Sequence, residues 1–312
     1  MTTTVAPPQA PATRRPPRRR HRGGGAVPYL FIFPPLAFLT VFMFGPLVQQ
    51  VWISFTNTRL LNPTGGRFVG LENYVRLFTG DALIHSLWVT VSYTAGTVVF
   101  GVGIGLVAAL AITRPFRGRA VVRGVLLFGW AVPNVAASLI WLWMFNENSG
   151  ILNRVLSWFG VDAVPWLTST TWAPVSILLV TVWQVAPFVM LVLLAALQSV
   201  PEEVREAARV DGADALSVYR VVTLPHIMPT LRLVSVLMAV WTIRRFEIIY
   251  LLTGGGPLDS TSTLVVSLRQ TAFEDRDLGG AGAYGVVGLV LALVIAAVQL
   301  VLERRAQKGS DA

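Results

Sequence analysis

Six long apolar stretches separated by polar segments dominate the pattern of this chain: residues 29–55, 87–112, 122–145, 173–197, 231–252 and 282–302. Each is long enough to cross a hydrocarbon core of about 30 Å as an α-helix. Val, Ile, Phe and Trp are frequent in them, yet no alternation of lipid-facing and lumen-facing positions appears, which disfavours barrel strands. The pattern predicts an all-α integral membrane fold of six transmembrane helices. Between the fourth and fifth stretches, residues 199–225 form a polar segment with helix signals of its own. Ser199 followed by Glu202 fits a capping box, Pro201 suits a first turn, and Glu202 and Glu203 face the positive helix end. A helix over about 201–210 is expected to stop at Gly212, which accepts a left-handed backbone. Asp214 is then placed to cap a second helix over about 215–223. That helix is expected to end before Pro225, because a residue preceding proline is driven out of the helical region.

Composition supports the membrane class: 54% of the 312 residues are apolar, 13% are charged, and mean hydropathy is +0.63. The distribution of arginine then sets an orientation, since basic residues accumulate in cytoplasmic loops. They cluster in the N-terminal tail, in the loop holding Arg114 to Arg123, in the segment holding Arg205, Arg209 and Arg220, and at Arg304, Arg305 and Lys308. Both termini and residues 199–225 are therefore expected to face the cytoplasm. The net charge of +9 reads as a topology signal, with the tail suited to anionic lipid headgroups. No aromatic residue interleaves with the tail arginines, so nucleic acid is not an expected partner.

Residues 1–28, rich in Arg and Pro, are expected to be a disordered cytoplasmic tail, residues 29–305 the six-helix transmembrane domain, and residues 306–312 a second cytoplasmic tail. The first apolar run is too long for a secretory signal and lacks a small-residue cleavage site, so it reads as a retained anchor. The absence of Cys removes disulfide and thiol chemistry.

Little else in the chain carries chemistry. A P-loop needs a Lys within a glycine framework, and the sole Lys, Lys308, has none, so any ATP hydrolysis must come from another polypeptide. Gly101 and Gly105 make a G-x-x-x-G step that suits close helix packing. His21, His85 and His226 lie far apart, which predicts no metal site, and no G-x-S-x-G elbow or other catalytic residue is expected.

Glu206-Ala207-Ala208, then Asp211 and Gly212, then Leu224-Pro225 resemble the EAA motif of the membrane subunits of binding-protein-dependent ABC importers, with Val222 where the family usually has Ile. Three further segments resemble the carbohydrate branch, of the maltose and glycerol-phosphate type. They are Gly70-Leu71-Glu72-Asn73-Tyr74, then Trp183 with Pro187-Phe188 leading into Leu194-Ala195-Ala196-Leu197, and Leu252-Thr253-Gly254-Gly255-Gly256-Pro257. The resemblance covers about residues 28–305. It implies that Glu206, Ala207, Ala208, Asp211, Gly212, Leu224 and Pro225 build a cytoplasmic coupling helix, between the fourth and fifth spans, that sits in a cleft of an ATPase subunit. It also implies a multi-pass cell-membrane protein that pairs with a second permease, two copies of an ABC ATPase carrying ATP and Mg, and an extracytoplasmic sugar-binding protein or lipoprotein. No cofactor is expected in this chain itself.

The sugar path is expected on the fourth and fifth spans. Trp183 and Gln184 fall mid-membrane in one, and Trp241, Arg244, Arg245, Glu247 and Tyr250 in the other. Ionisable groups at such depth are costly unless paired or facing a cavity. Arg244 and Glu247, three apart, can meet on one helical face, so a structural ion pair or a gate is the alternative to sugar contact; for Trp183 it is plain packing. Two other readings make different demands. Import of glycerol 3-phosphate would use Arg244 and Arg245 as direct ligands, whereas a carrier independent of ATP would survive loss of residues 201–225.

Overall fold

The computed structural model describes residues 27–113 and 115–310, the side chains of 27–28, 299–300 and 302–310 excepted. Most of the expected N-terminal tail and the last two residues lie outside the described residues. The chain divides into two compact units after Leu47. The first holds α1 (Val27–Leu39), a π-turn over Thr40–Phe44 and the start of α2 (Gly45–Ser54). None of its side chains from Tyr29 to Leu47 is buried, as expected of a helix whose solvent is lipid.

The second unit continues through α3 (Glu72–Thr79), α4 (Asp81–Thr113), α5 (Arg119–Ala131), α6 (Asn134–Met144), α7 (Ile151–Trp158) and α8 (Trp172–Gln198). It then runs through α9 (Glu202–Val210), α10 (Ala215–Val218), α11 (Leu224–Ile243), α12 (Glu247–Thr253), α13 (Leu264–Arg269) and α14 (Leu278–Ser310). Among the described residues no sheet forms, only isolated bridges such as Thr56 with Phe68.

The core is built on α4 and α8. Glycines of α4 meet α8 in step, Gly96 on Leu178, Gly101 on Val185 and Gly105 on Val189, so the two helices run parallel. A Cβ on Gly105 would fall 2.6 Å from Val189 Cγ1 and 3.0 Å from the Ala186 carbonyl. The G-x-x-x-G step thus does what its spacing suggests, by letting backbones approach. Val189, Met190, Leu193 and Leu197 of α8, Ala109 and Ile112 of α4, and Ile227, Val234 and Met238 of α11 close the main apolar cluster.

Because α4 and α8 are parallel, α5 to α7 must carry the chain back along them. They do so with a break. The third apolar stretch is not one straight helix: α5 and α6 meet at 99° across Val132 and Pro133. Proline there has no amide to donate and forbids helical backbone before it, and Val132 is extended (φ −74°, ψ 128°). Five other described helices are long and apolar enough to cross a membrane: Tyr29–Ser54, Asp81–Thr113, Trp172–Gln198, Ala215–Ile243 and Leu278–Val298.

Two more local expectations are corrected. The helix begun at Ala215 does not stop before Pro225 but continues through a π-turn over Tyr219–Thr223 into α11. The Leu224 amide reaches back five residues to the Tyr219 carbonyl, and the widened turn absorbs the hydrogen bond that Pro225 cannot make. The fifth stretch, expected to run to residue 252, ends as a helix at Ile243 and restarts as α12 at Glu247.

The Gly70–Tyr74 segment proves to be a clamp. Gly70 takes a positive φ of 60°, and buried Asn73 donates to the carbonyls of Ser54 and Thr56, both at 2.8 Å. Tyr74 adds a 2.6 Å hydroxyl contact with Ser54. Gly254 and Gly255 likewise take positive φ, 64° and 102°, in the turn that leaves α12.

Candidate functional site

Two places collect the residues singled out in the sequence. The first is the knuckle formed by α9 and α10. Asp214 caps α10 as expected, its carboxylate accepting from the Ser217 amide at 2.9 Å. Hydrogen bonds from Ser217, side chain first and then backbone, hold the Asp214 carboxyl below the usual carboxylate range. The end of α9 is a Schellman closure: the Ala213 amide reaches the Ala208 carbonyl, and the Gly212 amide reaches Arg209, both at 3.0 Å. Gly212, with φ 88°, supplies the left-handed residue this closure needs. The start of α9 departs from expectation. Pro201 is its N-cap and no side chain caps it, while the Ser199 hydroxyl donates back to the Ala196 carbonyl at 2.8 Å. The capping box is absent because Ser199 still belongs to the last turn of α8.

Glu203, Glu206, Ala207 and Val210 share one exposed face of α9, and Arg205 and Ala208 are half-buried behind it. Val210 is 87% exposed and Leu216 52%. An apolar and acidic face of small side chains is thus left open. Asp211, Gly212 and Pro225 are exposed, whereas Val222 and Leu224 pack on the main core cluster. Leu224 therefore anchors the knuckle and does not line its open face.

The second place is a polar cavity of about 370 Å³ at the two helix breaks, lined by Trp130, Val132, Asn134, Gln184 and Arg245 among others. Gln184, buried on α8, sits at its centre. Its amide donates to Asn134 Oδ1 at 2.8 Å and to the Val132 carbonyl at 3.2 Å. Its carbonyl accepts from Arg245 Nη1 at 2.5 Å. The Val132 carbonyl is available because the turn at Pro133 removes it from the helical ladder. One glutamine therefore ties the break between α5 and α6 to the break between α11 and α12. Sequence reasoning missed Asn134 and Trp130. Their signal was an Asn directly after a Pro inside an apolar run.

The other path candidates separate. Arg244 and Glu247 are exposed, and no ion pair joins them among the described residues. The break between α11 and α12 takes them off a common helical face, and Glu247 instead occupies the favourable first turn of α12. Two adjacent arginines within an unbroken lipid-spanning helix would be costly, and the break turns Arg245 onto Gln184. Tyr250 stacks on Phe246, ring centroids 5.0 Å apart, and carries the Arg269 guanidinium 3.9 Å from its own centroid. Trp241 meets Phe188 at 5.3 Å, and Phe188 meets Trp130 at 5.7 Å, an aromatic run leading to the cavity. Trp183 lies apart, edge-on to Trp141 and against Gly129. That is packing.

The family model described as "Binding-protein-dependent transport system inner membrane component" matches residues 101–308, including both the cavity and the knuckle. The chain belongs to this family. It is an ABC transporter permease subunit, a multi-pass membrane protein and not an enzyme. Among relatives of this permease is the trehalose/maltose transport system permease protein MalF of Thermococcus litoralis. It is 36% identical over 279 residues, covering 88% of this chain and 93% of the relative. The sulfoquinovosyl glycerol transport system permease protein SmoG of Agrobacterium fabrum is 33% identical over 271 residues, covering 87% and 88%. The permease also superposes on a chain of a bacterial ABC transporter involved in the import of the acidic polysaccharide alginate, with a TM-score of 0.79. The identity there is 24%, with 89% of this chain and 95% of that chain covered.

Proposed function

We propose that this permease forms half of the translocation path of an ATP-driven importer of a sugar, from mono- to oligosaccharide. An extracytoplasmic binding protein delivers the sugar, and a separate ATPase subunit drives its passage. The open face of α9, with Glu206 and Ala207 outward and Gly212 closing the turn, carries this reading. It is a small, rigid, exposed knuckle in an otherwise lipid-embedded chain, and relatives named for trehalose/maltose and for sulfoquinovosyl glycerol support the substrate class. In this reading the chain spans the membrane six times, with α5 and α6 together as the third span, and both termini and the knuckle are cytoplasmic. A second permease completes the path, and two ATPase copies hold ATP and Mg.

The mechanism follows from a two-state equilibrium. ATP draws the ATPase subunits together, each knuckle moves with the cleft it occupies, and the helices tilt from inward-open to outward-open. The binding protein and ATP must favour the same state to be coupled. The cavity around Gln184 offers the Asn134 amide, the N–H groups of Arg245 that Gln184 does not take and the flanking Trp130 face, which suit a polyol's hydroxyls and ring face. Arg245 at the same cavity favours a second reading, import of glycerol 3-phosphate or a related polyol phosphate.

The chain has no Cys, so single Cys residues introduced at Ala207 and Gly212 give site-specific crosslinking. Capture of the ATPase subunit is expected, with a nucleotide-dependent yield. Failure to capture it in any nucleotide condition overturns the reading. Uptake of labelled maltose, trehalose and glycerol 3-phosphate by vesicles holding the whole transporter separates the two substrate classes.

A further inference from the structure

Only Ser199, Val200 and Pro201 join the end of α8 to the start of α9. Val200 of that link is held in the main core cluster, 5% exposed, but Pro201 beyond it, with φ −59° and ψ 130°, leaves α9 to pivot unless something on α9 braces it. Arg205 is placed to do so. Its side chain is 17% exposed. Its Nη2 donates to the Leu197 carbonyl at 2.9 Å, while its Nη1 donates to Glu202 Oε2 at 3.0 Å. Leu197 lies in the last turn of α8, where carbonyls lack partners within the helix, and it is 1% exposed. Among the described residues this is the one side-chain hydrogen bond from α9 to another helix. Arg209 also reaches Glu202, at 3.3 Å, but that bond stays within α9 and fixes the carboxylate that Arg205 uses.

We infer that Arg205 is a positioning residue, a strut that fixes the angle between the knuckle and the fourth span so that movement of α9 is passed to α8. The inference rests on the proposed role of α9 and adds how its movement enters the membrane. The forked guanidinium serves both acceptors from different nitrogens, which a lysine ammonium on a flexible stem does poorly. The exposed face of α9 is not involved. Loss of the strut loosens the lever without touching the surface that meets the motor.

The test uses the whole transporter in lipid nanodiscs, with nitroxide labels on Val204→Cys in α9, off its open face, and Val175→Cys in α8, which are 48% and 43% exposed. In the parent chain a narrow distance distribution is expected. Arg205→Ala is expected to widen it about twofold, with Arg205→Lys in between, because one charge-assisted hydrogen bond to a carbonyl is lost in the first and weakened in the second. A second pair, Val107→Cys in α4 and Val175→Cys, reports on the core and is expected to keep its width. An unchanged width for the first pair in Arg205→Ala overturns the strut. So does widening of both pairs together, which would make Arg205 a general fold residue. Co-purification of the ATPase is scored separately. Its absence from the parent complex would defeat the proposed docking role of α9 and leave the strut to be judged by the distances.

Discussion

Gln184 is the hub of the cavity at the helix breaks, because every recorded hydrogen bond between polar side chains of its lining is made by it. Replacing it with leucine leaves Arg245 without its acceptor and the Asn134 and Val132 oxygens without a donor. These groups are half-buried, so each lost bond costs about 0.5–1.5 kcal/mol. Gln184→Leu is therefore expected to lower sugar uptake by roughly tenfold or more. Gln184→Glu, which still accepts from Arg245, is expected to be milder. Uptake by vesicles holding either variant measures this, and wild-type uptake by Gln184→Leu would remove the cavity from the path. Gln184 and Arg245 were legible in the sequence as polar groups in apolar stretches. Their union was not, since 61 residues separate them. The same distance effect worked in reverse for Arg244 and Glu247, whose spacing of three suggested a pair that the helix break dissolves.

At the scale of elements, proline and glycine divided the legible from the illegible. Gly101 and Gly105 carried their meaning in their spacing, and the contact with α8 follows it. Gly105→Ala is expected to destabilise the subunit by about 1–3 kcal/mol, because the new methyl meets Val189 and the Ala186 backbone. Gly103→Ala, with nothing within 4 Å of the added carbon, is expected to be neutral or to stabilise by about 0.5–1 kcal/mol. Thermal unfolding of the detergent-solubilised complex distinguishes the pair, and equal shifts would refute the packing role. Prolines were harder to read. Pro133 breaks its helix by 99°, while Pro225 sits in a continuous one. The difference is the π-turn before Pro225, an extra residue whose presence depends on Val222 and Leu224 finding the core. Local rules state what proline cannot do, and neighbouring packing chooses the remedy.

At the scale of the whole molecule, the proposed path and the proposed lever lie on different elements, the cavity at the breaks beside α8 and the knuckle on α9 and α10. Exchanging residues 202–213 for a Gly/Ser linker removes α9 and leaves the helix that begins at Ala215 intact. The chain is expected to insert and fold, since no residue of α9 is buried. Import is expected to cease, as measured by vesicle uptake with ATP and binding protein supplied. Import that persisted would indicate a carrier that needs no separate motor.

The sequence by itself determined the class, the apolar stretches and the knuckle. These depend on local quantities: apolar length against bilayer thickness, and glycine and aspartate where the backbone turns. Only the tertiary structure decided where helices break, which side chain braces the knuckle, and that Gln184 joins two distant breaks. Those outcomes depend on which buried polar groups find partners once α4, α8 and α11 have packed, and that pairing is a property of the assembled core.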